Sequence, residues 1–310
     1  MSKVQYLRVI LTEKCNLNCF FCHREGCEKN DYSISKEEMY EYISMLIRQG
    51  IRKIKLMGGE PTLYPNLVEM IKKLKKIDSR LDISIITNGI AKKQIYNQII
   101  EAGIDRINVS LHGYNTELFT SITRGTERQL IQMFESIDYL KAKKVLGKIN
   151  YVVLKDINEH EFFEVLEYVH INNVVLDVLN YLGEDFKEVK KFHYDFLEIE
   201  GMIKERYNIT HTINYRNPFS IDSKRLFLEN GGIINLKINK LRDISFLKAC
   251  KSCEKRNICE EGISAIRLTK NGVIQPCLFR DDLSFDLHAI RKKNSKEMCE
   301  KMLRNYLLEL

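Results

Sequence analysis

The chain has 310 residues, a formal net charge of +7 at pH 7, and a composition that is 44% hydrophobic and 29% charged. These values are typical of a globular protein with a sizeable core, and no apolar run reaches the length of a membrane-spanning helix. The basic residues are dispersed, which argues against nucleic-acid binding and leaves either a solvated surface or an anionic substrate. Because the first residues do not resemble a signal peptide, we expect a cytoplasmic protein, whose nine cysteines are better metal ligands than disulfide partners.

Apolar runs alternate with segments of helical periodicity from residue 4 to residue 183. The predicted strands are 4–12, 52–61, 81–89, 105–113, 146–155 and 173–183. The predicted helices are 35–50, 66–78, 92–103, 127–144 and 159–172. The first helix has Ser35 as its N-cap and Glu38 as the partner in a capping box. Strict alternation predicts an α/β fold with a parallel sheet, and six units are too few for a closed eight-stranded barrel. We therefore expect residues 1–183 to form a partial (β/α)6 TIM-type barrel.

The pattern changes after residue 183. Residues 184–249 mix helix with short strands and include a possible hairpin at "ENGG", residues 229–232. The last 60 or so residues contain a group of cysteines and a hairpin that turns at "KNG", residues 270–272. We predict that residues 184–310 form a small C-terminal domain.

Three cysteines follow the first predicted strand in the segment "CNLNCFFC", residues 15–22. Three thiolates are one fewer than a closed zinc site or a fully ligated [4Fe–4S] cluster requires. Either a remote residue supplies the fourth ligand, or one metal position is left open for another molecule.

Other polar motifs also follow predicted strands. "GGEP" (58–61) follows the second strand, "TNG" (87–89) the third, and Ser110 and His112 end the fourth, while Lys148 lies in the fifth. The carboxyl ends of parallel strands meet at one face of an α/β barrel, which is where reactive residues collect. These motifs are therefore predicted to surround one cavity mouth.

A C-x₃-C-x₂-C motif after the first strand and GGEP after the second resemble the radical SAM superfamily. The resemblance implies that Cys15, Cys19 and Cys22 hold a [4Fe–4S] cluster whose open iron chelates S-adenosylmethionine. An electron from a donor such as flavodoxin or ferredoxin then releases a 5′-deoxyadenosyl radical that abstracts hydrogen from the substrate. The implied S-adenosylmethionine contacts are Phe21, Gly58, Gly59, Glu60, Asn88 and Ser110. Glu60 has a plain helix-start role as its alternative, and a zinc site would leave GGEP and the barrel unexplained.

The C-terminal cysteines have the pattern Cys250-x₂-Cys253-x₅-Cys259-x₁₇-Cys277. Four thiolates close a site, and spacing alone leaves structural zinc as a rival to an iron–sulfur cluster. Beside a radical SAM barrel, the resemblance implies a second, auxiliary [4Fe–4S] cluster in a shortened domain that is similar to the twitch and SPASM domains.

Segments such as "LRVILTEKCNLNCFFC", "IKLMGGEPTLYPNL" and "GKINYVVLKDIN" resemble the molybdenum-cofactor GTP 3′,8-cyclase family over most of the chain. By position, Arg8, Lys55 and Lys148 match basic residues with which that family holds its nucleotide. Three features depart from the family: a fourth auxiliary cysteine, an end without Gly-Gly, and Ile86 in place of a polar residue. The resemblance therefore implies a related enzyme with a different substrate.

The leading hypothesis is a radical SAM enzyme that acts on a small anionic molecule, nucleotide-like or sugar-like. It rests on the basic trio and on a cluster motif that begins at residue 15, leaving no room before it for a peptide-recognition domain. The alternative is a SPASM-type maturase of a ribosomally made peptide, and a third class is a non-catalytic oxygen sensor. No catalytic residue is assigned. His23 either shields the cluster or is structural, His112 orients a ligand or is structural, and Cys27 and Cys299 are structural or hydrogen-donating thiols.

Overall fold

Twelve strands form one continuous sheet in the part of the chain that the computed structural model describes, namely residues 5–26, 32–182, 186–215, 223–229, 231–237, 248–251, 253–254 and 265–310. In chain order the strands are β1 (Tyr6–Ile10), β2 (Lys53–Met57), β3 (Asp82–Thr87), β4 (Arg106–Ser110), β5 (Leu146–Val153), β6 (Val175–Asn180), β7 (Ile209–Tyr215), β8 (Ser223–Leu228), β9 (Ile233–Lys237), β10 (Ile266–Leu268), β11 (Val273–Gln275) and β12 (Phe285–Asp286). Their order across the sheet is β12-β11-β10-β1-β2-β3-β4-β5-β6-β9-β8-β7.

The centre of the sheet is parallel. Strands β1 to β6 are neighbours in chain order, and each adjacent pair is parallel. The six predicted strands and the open, partial barrel are therefore confirmed. The parallel part is larger than predicted, because β10 adds in parallel beside β1 and β9 adds in parallel beside β6. Antiparallel strands then complete both edges, and the predicted hairpins at 229–232 and 270–272 join β8 to β9 and β10 to β11.

Eleven helices lie in the described residues. They are α1 (Lys36–Arg48), α2 (Leu67–Ile77), α3 (Lys93–Glu101), α4 (Thr116–Thr123), α5 (Glu127–Ala142), α6 (Phe162–Asn172), α7 (Phe186–Phe192), α8 (Phe196–Arg206), α9 (Lys248–Lys251), α10 (Leu287–Lys293) and α11 (Lys296–Glu309). The predicted capping box of α1 is confirmed, since the Ser35 side chain accepts from the Glu38 amide and Glu38 accepts from the Ser35 amide. The sequence did not predict α4, α10 or α11. None of the described helices is long and apolar enough to cross a membrane.

Alternate residues of the central strands serve two different environments. On β1, Leu7 and Val9 are fully buried in the hydrophobic core, while Tyr6 and Arg8 line an internal cavity. On β2, Leu56 is in the core and Lys55 lines the cavity. This separation follows from the two-residue period of a strand, which sends successive side chains to opposite faces. The apolar face packs under the helices, and the polar face is left to form a site.

The predicted domain boundary at residues 183–184 lies outside the described residues and stays a prediction. Strands from both sides of it belong to the same sheet, because β6 pairs with β9 and β1 pairs with β10. The C-terminal segment therefore extends the barrel wall on both sides.

Candidate active site

One cavity of about 2140 Å³ occupies the polar side of the sheet. It is wide enough for a drug-sized ligand, since such pockets measure roughly 300–1,000 Å³. The predicted site residues that line it come from the first cysteine motif, from the ends of the strands and from the C-terminal hairpin: Arg8, Cys15, Cys19, Phe21, Cys22, Lys55, Gly58, Gly59, Glu60, Asn88, Ser110, Lys148 and Cys277. Sequence motifs that are up to about 260 residues apart thus share one chamber.

The first cysteine motif forms a partly exposed loop above the strands. The Cys22 amide donates to the Cys19 carbonyl oxygen at 3.1 Å, which closes a tight turn between two of the thiols. Burial, and then the neighbouring thiolates of Cys22 and Cys15, raise the pKa of Cys19 to about 12. Thiolates that lie close together repel one another, and a cationic metal group would stabilise them. The three thiols lie in one short loop and are partly exposed, a donor set that would suit a cluster in which each thiolate binds its own iron.

The two glycines of GGEP allow this loop to lie against the end of β2. A Cβ added at Gly58 would collide with the backbone of Thr12, and one added at Gly59 would collide with the carbonyl oxygens of Glu13 and Lys14. In the space left by the missing side chains, the Gly59 amide donates to the Thr12 carbonyl at 2.7 Å. Glycine is required here because two backbones approach each other closely.

Glu60 joins the loops that follow β2 and β3. It is 1% exposed, and one carboxylate oxygen accepts from the Thr62 amide at 3.0 Å, from the Thr62 hydroxyl at 2.6 Å and from the Thr87 hydroxyl at 2.8 Å. The other oxygen accepts from the Asn88 amide at 2.8 Å. Burial raises the pKa of Glu60 in spite of these bonds. A carboxylate has about four lone-pair sites, so protein donors already use most of its capacity.

Asn88 and Phe21 connect the cysteine loop to two further strand ends. The Asn88 side-chain amide donates to Asn16 Oδ1 at 2.7 Å and lies 3.8 Å from the sulfur of Cys15. The Phe21 ring packs edge-on against the ring of His112, with 4.7 Å between the centroids. Burial lowers the pKa of His112 to about 4, so this ring is neutral at physiological pH. The cysteine loop is thus tied to the ends of β2, β3 and β4.

Arg8 faces the cavity, which settles a question of strand parity that the sequence leaves open. Its Nη1 donates to Oε1 of Glu25 at 2.6 Å, and the same carboxylate accepts from Arg267 on β10. Burial alone would raise the pKa of Glu25, but the charges of Arg8 and Arg267 hold it well below its usual range. His23, the residue after the third cysteine, lies 3.8 Å from the other oxygen of Glu25.

Lys55 stands beside Tyr6, a residue that the sequence did not single out. The Lys55 amine lies 5.5 Å from the centroid of the Tyr6 ring, and Lys53 lies 4.8 Å from it. Burial, opposed by Tyr6, lowers the pKa of Lys55 to about 8. Burial alone would raise the pKa of Tyr6, but the charges of Lys55 and Arg8 lower it to about 7. The pair therefore titrates near neutral pH.

Lys148 lies on the opposite wall, on β5. It is paired with Asp177 of β6, whose side chain is only 1% exposed. The other oxygen of Asp177 accepts from the Asn235 side chain of β9 at 2.7 Å. An acidic partner of Lys148 was not predicted, because nothing in the sequence connects residues that are 29 positions apart.

Several buried polar atoms that line the cavity make no hydrogen bond within the described residues. They are Ser84 Oγ, Asn108 Oδ1 and His112 Nδ1. An unsatisfied buried polar group costs about 1–3 kcal/mol, so such groups mark positions that a bound ligand satisfies. The sequence contained a weak indication of this polar wall, since Ser84 and Asn108 are polar residues flanked by apolar residues in their strands.

Three of the four C-terminal cysteines lie in the described residues, and Cys259 lies outside them. Arg280 donates to the carbonyl oxygen of Ala249, the residue before Cys250, at 3.3 Å. Its hydrogen bond with Asp282, and after it the nearby Cys253, raise the pKa of Arg280. Arg280 follows Cys277 by three residues and so brings the α9 segment and the β11 end together. Cys250 and Cys277 both pack against the core. Cys27 also lies outside the described residues, whereas Cys299 is fully buried on α11.

Comparison with known proteins identifies relatives over nearly the whole chain. A family model described as the radical SAM superfamily matches residues 9–169. A protein from Methanococcus aeolicus named "Probable GTP 3′,8-cyclase" is 31% identical over 288 residues, which are 92% of this chain and 89% of that protein. A protein of the same name from Sulfolobus acidocaldarius is 33% identical over 310 residues, 97% of this chain and 90% of that protein.

Solved structures confirm the fold. SuiB from Streptococcus suis matches with a TM-score of 0.62 at 16% sequence identity, over 89% of this chain and 60% of that one. The chain thus spans less than two thirds of the length of SuiB. At this identity the likeness concerns the arrangement of strands and helices alone.

Proposed function

The chain belongs to the radical SAM superfamily, and we propose that it is an enzyme that uses the radical formed from S-adenosylmethionine on a small anionic substrate. Cys15, Cys19 and Cys22 would hold the superfamily's [4Fe–4S] cluster. When bound, the cluster would supply the electron for the reductive cleavage of S-adenosylmethionine, the chemistry from which hydrogen abstraction follows. The protein's part is to bind, orient and exclude water.

The residues around the cysteine loop have positions that suit S-adenosylmethionine. The Gly58–Gly59 backbone would lie along the methionine part, Phe21 would pack on the adenine, and Asn88 and Ser110 would reach the ribose or the carboxylate. Glu60 would act mainly by holding the GGEP and TNG loops together, because its carboxylate already accepts hydrogen bonds from Thr62, Thr87 and Asn88. His112 would keep the Phe21 ring in place through their edge-on contact.

We further propose that Cys250, Cys253, Cys259 and Cys277 hold an auxiliary [4Fe–4S] cluster. The exposure of Cys277 to the cavity supports a position beside the substrate. A flavodoxin or ferredoxin would deliver electrons, a role that fits partly exposed clusters.

The observation that carries the substrate proposal is that Arg8, Lys55 and Lys148 all face one cavity. The relatives are named for an enzyme that acts on GTP, which is an anionic nucleotide. Unsatisfied polar atoms on β3 and β4 beside these cations would hold the uncharged part of such a molecule. A nucleotide-like or sugar-like substrate therefore fits the cavity best.

Peptide maturation remains the second candidate. The size of the cavity favours it, because about 2140 Å³ exceeds what S-adenosylmethionine and a small molecule require together.

The test is anaerobic reconstitution followed by reduction with dithionite and chromatography for 5′-deoxyadenosine. Wild-type protein should form it slowly without substrate, and the variant with Cys15, Cys19 and Cys22 changed to Ala should form none. Cys299→Ala is the matched control, since Cys299 lies outside both cysteine sets. Failure of the reconstituted wild type to form 5′-deoxyadenosine with any candidate nucleotide, sugar phosphate or peptide would contradict the proposal.

A further inference from the structure

Three positive side chains stand side by side on neighbouring strands. Arg267 on β10 pairs in register with Arg8 on β1, and Arg8 pairs in register with Lys55 on β2. Neighbouring strands lie about 4.8 Å apart, so cations on one face of adjacent strands repel one another unless an anion lies among them. A row of two guanidinium groups and an amine has the charge that a polyphosphate requires.

The protein supplies its own anion to this row. Glu25 follows the third cysteine of the first motif by three residues, and its side chain is 10% exposed. It accepts hydrogen bonds from both Arg8 and Arg267 through the same oxygen. The charges of the two arginines keep it ionised at neutral pH, although burial opposes this. A carboxylate therefore occupies the place between the arginines, and the pair plus Glu25 has a net charge of only about +1.

The same compensation recurs on the other walls of the cavity. Arg106 is paired with Asp82 at 2.5 Å, and Lys148 is paired with Asp177. Lys55 differs from them, because its neighbour is the phenol of Tyr6, whose ring centroid lies 5.5 Å from the amine, and none of the ion pairs between described residues includes it. Its neighbours in register are Arg8 on one side and Ser84 on the other, and the Ser84 hydroxyl makes no hydrogen bond within the described residues.

We propose that Glu25 is a specificity-determining residue: by neutralising Arg8 and Arg267, it limits the anionic part of the substrate to a single carboxylate or phosphomonoester bound at Lys55. The proposal rests on the proposed function, because it takes this cavity as the substrate site. A triphosphate would place negative charge against Glu25 and would have to separate an ion pair that is already formed. A single anionic group at Lys55 meets an amine that has the Tyr6 phenol but no carboxylate beside it, and a Ser84 hydroxyl that makes no hydrogen bond within the described residues. The substrate thus carries one anionic group, a carboxylate or a phosphomonoester, on a polar body.

The experiment is equilibrium dialysis of the reconstituted full-length chain with GMP and GTP as probes, under anaerobic conditions with S-adenosylmethionine present. Wild-type protein should bind GMP at least about tenfold more tightly than GTP. Glu25→Gln should bind GTP about 10- to 100-fold more tightly than the wild type, while its affinity for GMP changes by less than about threefold. Glu25→Asp keeps the carboxylate and should retain the wild-type ratio.

A purely structural role for Glu25 would change the affinities for both nucleotides alike, so the ratio is the decisive quantity. A wild-type protein that binds GTP as tightly as GMP, or more tightly, overturns the proposal without any variant. If Glu25→Gln fails to take up iron, two other measurements test the proposal: the ratio of the GMP and GTP affinities of the wild type, and the GMP affinity of Lys55→Gln. The second should be about tenfold lower than that of the wild type. If the wild type binds neither nucleotide and Glu25→Gln binds GTP, the role of Glu25 stands and the anionic substrate of the proposed function fails.

Discussion

Replacing Glu60 by Gln should release the Asn88 loop from the end of β2. Gln has almost the same shape but only one acceptor oxygen, which can keep the bonds from Thr62 and Thr87. Its amide nitrogen then faces the Asn88 amide, so two donors oppose each other where one bond of 2.8 Å existed. Leaving a buried N–H without an acceptor costs about 1–3 kcal/mol. Because burial raises the pKa of Glu60, part of this cost is offset by removing a desolvated charge.

Hydrogen exchange measured by mass spectrometry under anaerobic conditions is the assay. A cost of about 1–3 kcal/mol corresponds to a loss of protection at the Asn88 amide of about 5- to 150-fold, and affinity for S-adenosylmethionine should fall in the same variant. Glu101→Gln, on the exposed surface of α3, is the matched control and should exchange like the wild type. Unchanged protection of residues 87–90 in Glu60→Gln would refute the view that this carboxylate holds the two loops together.

Three further predictions concern other parts of the cavity. The ultraviolet difference between wild type and Tyr6→Phe should show a phenol that titrates near pH 7. Because Tyr6 loses its proton more easily in the folded than in the unfolded protein, the free energy of unfolding should rise between about pH 7 and about pH 10. A first phenol titration only near pH 10 would contradict this prediction. Lys148→Ala removes the cation that pairs with the buried Asp177 and should lower the free energy of unfolding by about 3–5 kcal/mol. Adding Asp177→Asn should recover most of this loss. If anaerobic denaturation gives the single and double variants equal stability, the two residues do not form a buried ion pair. Reconstituted wild-type protein should hold about eight irons, and the triple-alanine variant of the first cysteine motif about four, as measured by iron analysis and Mössbauer spectroscopy; zinc at the second site after strictly anaerobic preparation would refute the auxiliary cluster.

Local features of the chain could be predicted without the structure because their causes are local. The capping box of α1 needs only Ser35 and Glu38, which are three positions apart, and both are in place. A glycine in the turn predicts the hairpin between β10 and β11, and Gly272 has the positive φ, 83°, that such a turn requires. The alternation of strands and helices likewise follows from periodicities of two and 3.6 residues, and it indicated the parallel sheet correctly.

Helix α4 was missed because its own sequence does not favour a helix. The segment "TELFTSIT" is rich in β-branched residues, which have low helix propensity. A carboxylate from another part of the chain helps to hold its start, since Glu161 accepts from the amides of Tyr114 and Asn115, both at 2.8 Å. Contacts between residues about 47 positions apart override local preference here.

The sequence by itself determined the cysteine spacings, the glycine pair and the order of the strands, because each of these is written within a few neighbouring residues. It therefore identified the superfamily and predicted the edge of the sheet at which the candidate site residues lie together. Only the tertiary structure decided that Arg8 faces the cavity and that Glu25 and Asp177 neutralise its basic wall. Strand parity depends on which face the helices cover, and an ion pair depends on which elements the sheet brings together. Both are set by packing between distant segments, and so the charge that the substrate meets could not be read from the chain alone.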